Sequence, residues 1–134
     1  MGWWARAHCR EGHRKTYFGP PLDRGSMVTD LPPEQLAAKL RANPGGIVLL
    51  DVRELHERQI ATLEPSLHIP MDEIPGRTPE IPTDREVVVF CHGGTRSMIV
   101  AGFLEARGFS AVANLSGGID AWSVRVDPRV PRYD

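Results

Sequence analysis

The stretch that decides the fold is VVVFCHGGTRSMIVAGFLEARG, Val87–Gly108. Its first four residues are apolar and run without a break into Cys91. A continuous apolar run of this length reads as a strand buried on both faces, the mark of a parallel sheet. From Ser97 to Arg107 the chain places Met98, Ile99, Ala101, Phe103 and Leu104 at helical spacing, and Gly108 follows as the residue that ends the helix. Strand, short loop and helix form half of a βαβ unit. In open α/β sheets ligands bind beyond the carboxyl ends of the strands, and Cys91 lies at such an end.

The same alternation extends in both directions. Asp30 precedes PPEQLAAKLRANPGG, where it reads as the N-cap of a helix with Leu36, Ala37 and Leu40 on its apolar stripe. Asn43 to Gly46 stops that helix. Ile47–Asp51 (IVLLD) is a second buried strand, and Arg53–Arg58 a short polar helix. Leu67–Pro70 is a brief strand, Met71–Ile74 one helical turn, and Pro75–Asp84 a proline-rich loop. Val112–Leu115 is a last strand, and Gly117–Trp122 opens a final short helix in which Trp122 is a core residue. His56 and His68 read as surface or hydrogen-bonded histidines. Alternating strands and helices of this kind predict an α/β domain with a parallel sheet covered by helices on both faces.

A chain of 134 residues suits one compact domain able to fold without staples. Its net charge of −1 gives no bulk electrostatic reason to expect nucleic acid or a membrane surface as partner. No apolar run approaches the roughly 20 residues of a membrane span. The two cysteines, Cys9 and Cys91, lie in unlike surroundings, so a reducing, cytoplasmic setting is expected rather than a disulfide framework. Residues 1–26 differ from the rest: five Lys/Arg against two acids give +3, and neither helical nor strand periodicity is present. They read as a poorly ordered or non-native extension, with the domain spanning 27–134 and Met27 as its natural start. His8, Cys9 and His13 lack a second ligand pair at the usual spacing, so no metal is expected there.

The chemistry is concentrated in CHGGTRS, Cys91–Ser97. A loop that joins a strand end to a helix start lets its backbone N–H groups converge on one point. Gly93 and Gly94 permit backbone conformations that side chains disfavour, and the helix N-terminus adds positive potential. The result is an anion cradle with a sulfur at its base. The same dipoles favour a negatively charged, nucleophilic sulfur, with Arg96 and His92 adding charge. The competing reading, a buried structural cysteine, leaves the two glycines and the arginine unexplained. Phosphoryl transfer through a cysteinyl phosphate and sulfane sulfur transfer through a persulfide both fit such a cradle. The loop places four residues between Cys91 and Arg96, one fewer than similar cysteine phosphatase loops, and this favours the smaller transferred atom.

In combination, LLDVRE (Leu49–Glu54), VVVFCHGGTRS (Val87–Ser97), the helix ending in ARGF and NLSGGIDAW (Asn114–Trp122) resemble the single-domain rhodanese sulfurtransferases. The tail VDPRVPRY (Val126–Tyr133) resembles rhodanese domains associated with the adenylylating enzymes that activate ubiquitin-like sulfur carriers. The resemblance covers roughly Val28–Tyr133 and implies a five-stranded parallel sheet flanked by helices. It implies Cys91 as the persulfide-bearing catalytic residue. The amides of His92, Gly93, Gly94, Thr95, Arg96 and Ser97 would bind the transferred sulfur and the donor. Arg96 would hold an anionic donor such as thiosulfate, and Asp51 and Arg53 would mainly support the loop. The acceptor would be a thiol or a sulfur-carrier protein, with no cofactor or metal. The alternatives are a small cysteine phosphatase or arsenate reductase, and a partner-binding module without turnover. One departure stands out: the family often has a glycine-containing turn where this chain reads IATLEPSLHIP, Ile60–Pro70.

Overall fold

The computed structural model describes residues 28–134. The reading of 1–26 as an extension, and those of Met27, Cys9, His8 and His13, fall outside the described residues.

The elements follow in the order β1 (Thr29–Leu31), α1 (Pro33–Ala42), β2 (Ile47–Asp51), α2 (Leu55–Ile60), β3 (Leu67–His68), α3 (Ile74–Arg77), β4 (Glu86–Phe90), α4 (Thr95–Ala106), β5 (Val112–Leu115) and α5 (Gly118–Arg125), with single 3-10 turns at Met71–Glu73 and Thr78–Glu80. The five strands make one sheet in the order β1-β5-β4-β2-β3, and every pairing is parallel. The α/β fold expected from the alternating pattern is present. Strand β4 sits at the centre, hydrogen-bonded to β2 and β5, so the residue that follows it emerges in the middle of the sheet's carboxyl edge.

The side-chain alternation of β4 divides the core in two. Val87, Val89 and Cys91 face one side, against Leu50, Val52, Ile69 and Ile74 and the α4 residues Val100, Phe103 and Leu104. Val88 and Phe90 face the other, against Leu36 of α1, Leu49, Leu115 and Ile119 of α5. Trp122 is half-buried against this second cluster. Each fully buried valine of β4 contributes about 1.5–3 kcal/mol, so the strand that carries the cysteine is held from both faces.

Two local readings change. Asp30 is not the N-cap of α1; it lies in β1, and Pro32 occupies the cap. The Pro32 carbonyl accepts from Gln35 N–H and Leu36 N–H, and Pro33 at the first helical position has no N–H to satisfy. The stretch read as a proline-rich loop from Pro75 holds α3 and the second 3-10 turn, since proline is compatible with a first helical turn. Strand β1 itself has no legible signal, being three residues long. At the C-terminal end of α4, Gly108 has φ +101 and Phe109 N–H donates to the Leu104 carbonyl, as the helix-ending reading requires. Among the described residues no helix is long and apolar enough to cross a membrane.

Candidate active site

Cys91 leaves β4 with its side chain 1% exposed. The chain then turns through Gly94, whose φ of +108 is a left-handed value suited to glycine, and enters α4. This turn brings two backbone donors onto the sulfur: Gly94 N–H at 3.1 Å and Ser97 N–H at 3.4 Å. Ser97 is the third residue of α4, whose N-cap is Gly94. Its hydroxyl is fully buried, 3.3 Å from Cys91 Sγ, and donates to Asn114 Oδ1. Asn114 Nδ2 in turn donates to Asp30 Oδ1 at 3.0 Å. Asp30 thus orients the Asn114 amide, and Asn114 orients the serine beside the sulfur. A shallow cleft opens next to this chain, lined by Asp30, Gly93, Gly94, Thr95, Met98, Ile99, Asn114 and Gly117.

The far side of the loop is fastened to α5. Ile119 N–H donates to the Cys91 carbonyl at 2.9 Å and Asp120 N–H to the His92 carbonyl at 3.1 Å. Gly118 has φ +67, and a Cβ there would lie 2.2 Å from the His92 oxygen and 2.6 Å from the Cys91 oxygen. Gly93, by contrast, has room: a Cβ would meet nothing within 4 Å, and its φ is not left-handed. The glycine requirement expected at Gly93 and Gly94 therefore falls on Gly94 and Gly118. Gly118→Ala is expected to lower stability by more than about 2 kcal/mol, from left-handed strain plus the clash, and to cut activity at least tenfold. Gly93→Ala should move either by little. Urea unfolding and turnover of the two variants check this, and equal effects would refute the assignment.

Arg96 and its surroundings hold what the sequence reading missed. Its Nη1 and Nη2 donate to Glu57 Oε1 and Oε2 at 2.7 and 2.8 Å, a bidentate pair with the arginine side chain 35% and the glutamate 10% exposed. Glu54 N–H also donates to Glu57 Oε1, and the Tyr133 hydroxyl to Oε2. The hydrogen bonds from Arg96 hold the Glu57 carboxyl down at about 2 despite its burial, and those to Glu57 hold Arg96 well above its ordinary value. The Tyr133 oxygen accepts from Arg53 Nη1 at 3.0 Å, and its ring stacks on His92 at 4.3 Å between centroids. Burial pushes the Tyr133 phenol up to about 12. Glu57 carries one legible signal, the Glu54-x-x-Glu57 pattern of a capping box. Tyr133, 37 positions beyond Arg96, lies in the VDPRVPRY tail, whose resemblance gives it no role at the site.

Asp51 and Arg53 sit behind this network. Arg53 is fully buried and donates from Nε and Nη2 to the two Asp51 oxygens, at 2.9 and 2.8 Å, and to the Ala61 carbonyl. Burial opposes its charge, but the hydrogen bonds it donates to Asp51 and then to Tyr133 outweigh that and hold Arg53 above its ordinary value. Arg58 Nη1 adds a further bond to Asp51. His68 Nε2 lies 2.8 Å from the Arg53 carbonyl, and His56 is exposed. Asp120 pairs with Arg132 and lies 4.0 Å from His92 Nε2.

Residues 33–125, most of the chain and all of this loop, match the family described as Rhodanese-like domain. The chain belongs to the rhodanese-like family. It is 38% identical over 97 residues to a protein of Allochromatium vinosum named "Sulfurtransferase", covering 72% of this chain and 90% of that one. It is 33% identical over 93 residues to the Zea mays "Adenylyltransferase and sulfurtransferase MOCS3-1", covering 64% of this chain but only 20% of that protein. Among solved structures, a rhodanese-like domain protein from Staphylococcus aureus superposes with a TM-score of 0.67 at 27% identity, over 80% of this chain and 100% of that one. The rhodanese fold read from the sequence motifs thus stands on family, relatives and architecture together.

Proposed function

We propose that this rhodanese-like chain is a sulfurtransferase that works through a persulfide on Cys91. The observation that carries the reading is the sulfur itself, at a strand end and facing two helix-start amides. A cysteine sulfur placed at a strand end with two N–H donors aimed at it is positioned to act as a nucleophile and to hold a transferred atom. With thiosulfate, the Cys91 thiolate attacks the outer sulfane sulfur; the S–S bond of the donor breaks and sulfite leaves with the electron pair. The product is a Cys91 persulfide anion, whose outer sulfur can accept the N–H groups of the loop. A nucleophilic acceptor, a thiolate that is free or borne on a sulfur-carrier protein, then attacks that outer sulfur, takes it with formation of a new S–S bond, and releases the Cys91 thiolate. Relatives that bear the name sulfurtransferase support this chemistry. His92, Gly93, Gly94, Thr95, Arg96 and Ser97 form the wall of the donor site, with Arg96 at its mouth, while Asp51 and Arg53 brace it from behind.

The loop length bears on the same choice. Four residues between Cys91 and Arg96 make a cradle suited to one atom, whereas a phosphoryl group brings three oxygens that need room and donors. Incubation with thiosulfate, followed by mass spectrometry of the alkylated protein, is expected to show one added sulfur on the peptide holding Cys91. An unmodified Cys91, together with turnover of an aryl phosphate, would overturn the reading.

A further inference from the structure

We propose that Glu57 sets the choice of sulfur donor, turning the site from a free oxyanion such as thiosulfate toward a persulfide, R–S–SH or R–S–S⁻. The proposal rests on the sulfurtransferase reading and concerns which sulfane carrier the site takes. A guanidinium offers two bidentate edges, one end-on through Nη1 and Nη2 and one side-on through Nε and a single Nη. In this chain the end-on edge of Arg96 is taken by Glu57, at 2.7 and 2.8 Å. Glu57 is not free to swing aside, because Glu54 N–H and the Tyr133 hydroxyl hold its two oxygens from other directions. Tyr133 is itself fixed by Arg53 and by stacking on His92 of the loop. The mouth therefore presents a compensated pair rather than a bare cation.

The two donors ask for different things there. Thiosulfate is a dianion whose three oxygens need positive charge outside the cradle, and its leaving group, sulfite, is a dianion as well. Both would come to rest beside the Glu57 carboxylate. A persulfide presents the same terminal sulfur to Cys91 with at most one charge and no oxygens. The Cys91 thiolate attacks the outer sulfur, the R–S to S bond breaks, and R–S⁻ leaves with the electron pair. The proton, when present, stays on the outer sulfur, giving Cys91–S–SH. The side-on edge of Arg96, for which no partner is found among the described residues, suffices to hydrogen-bond one leaving thiolate. The near-complete burial of Cys91 suits either slender sulfur tip. Selection therefore falls on the group bonded behind that tip, which meets Glu57.

The test is the single-turnover rate of Cys91 persulfidation, read by quenched alkylation and mass spectrometry, with thiosulfate and with glutathione persulfide as probes. Wild type should favour glutathione persulfide. Glu57→Gln removes the opposing charge and should shift the ratio of second-order rate constants toward thiosulfate by about tenfold or more, the effect of one charge-assisted contact. The thiosulfate rate of this variant should also fall more steeply with added salt, since it would then rest on an uncompensated cation. Tyr133→Phe keeps the Glu57 charge but removes one of its restraints, and should shift the ratio the same way by about two- to threefold. It also serves if Glu57→Gln folds poorly. Persulfidation by both donors at an unchanged ratio in both variants, or a shift toward the persulfide, would overturn the proposal while leaving sulfur transfer intact. Failure of either donor to modify Cys91 in the wild type would overturn the sulfurtransferase reading and this proposal with it.

Discussion

Cys91→Ser is expected to abolish sulfur transfer and leave the domain folded. The hydroxyl of serine is close in size to the thiol and can accept the N–H groups of Gly94 and Ser97, which now lie 3.1 and 3.4 Å from Sγ. The packing around the position changes little, because Cys91 contributes one small side chain to a cluster dominated by Val87, Val89, Val100 and Phe103. A serine oxygen, however, cannot carry sulfane sulfur and is far less nucleophilic than a thiolate. Turnover of thiosulfate with cyanide as acceptor should fall by at least about a thousandfold, the scale on which loss of a covalent nucleophile is felt. The melting temperature should stay within a few degrees of wild type, as expected of a volume-conserving change of about 1 kcal/mol or less. Turnover near the wild-type level would remove Cys91 from the mechanism, and loss of the fold would show that the thiol has a structural role in the core cluster that serine cannot fill.

Which features are legible in the sequence depends on which interactions are local. The two long buried strands announce themselves because β2 and β4 are covered on both faces and must be apolar throughout: Val48, Leu49, Leu50 and Val87 to Phe90 leave no polar alternation to confuse. The loop is legible because strand end, glycines and helix start are consecutive in the chain. The features that escape depend on distant partners. Asp30 has the side chain of a good N-cap, and only the neighbouring strand β5, which brings Asn114 within 3.0 Å, reveals its actual work. Glu57 reads as one charge on a short polar helix, since its partner Arg96 lies 39 positions away. Gly118 looks like half of a turn, and its close approach to the His92 carbonyl exists only once α5 docks on the loop. Arg96 is legible as a cation beside the cradle, but its charge is shared with a carboxylate that no pattern in the sequence ties to it.

The largest effect on stability is expected at Asp51, away from the reacting sulfur. Asp51→Asn leaves Arg53 with no charged partner among the described residues, since Asp51 supplies its one ion pair at 2.8 Å. Both side chains are fully buried, and breaking a buried pair by removing one partner costs about 3–5 kcal/mol because the remaining charge is left uncompensated. The reverse change should be milder in its electrostatics. Arg53→Met leaves Asp51 beside Arg58, whose Nη1 stays 3.0 Å from Oδ2, so the carboxylate keeps a cation. Its cost lies instead in unmet acceptors, above all the Ala61 carbonyl and the Tyr133 hydroxyl. Urea unfolding should therefore rank Asp51→Asn below Arg53→Met by about 1 kcal/mol or more; a loss under about 1 kcal/mol for Asp51→Asn would mean that water or a rearranged Arg53 compensates the charge. The consequence reaches the active site through a continuous set of bonds, since Arg53 fixes Tyr133, Tyr133 fixes Glu57 and Glu57 fixes Arg96. An Arg53 drawn out of place takes the orientation of Tyr133 with it, so the folded fraction of Asp51→Asn should resemble Tyr133→Phe in its donor ratio, a functional signature that simple loss of stability would not produce.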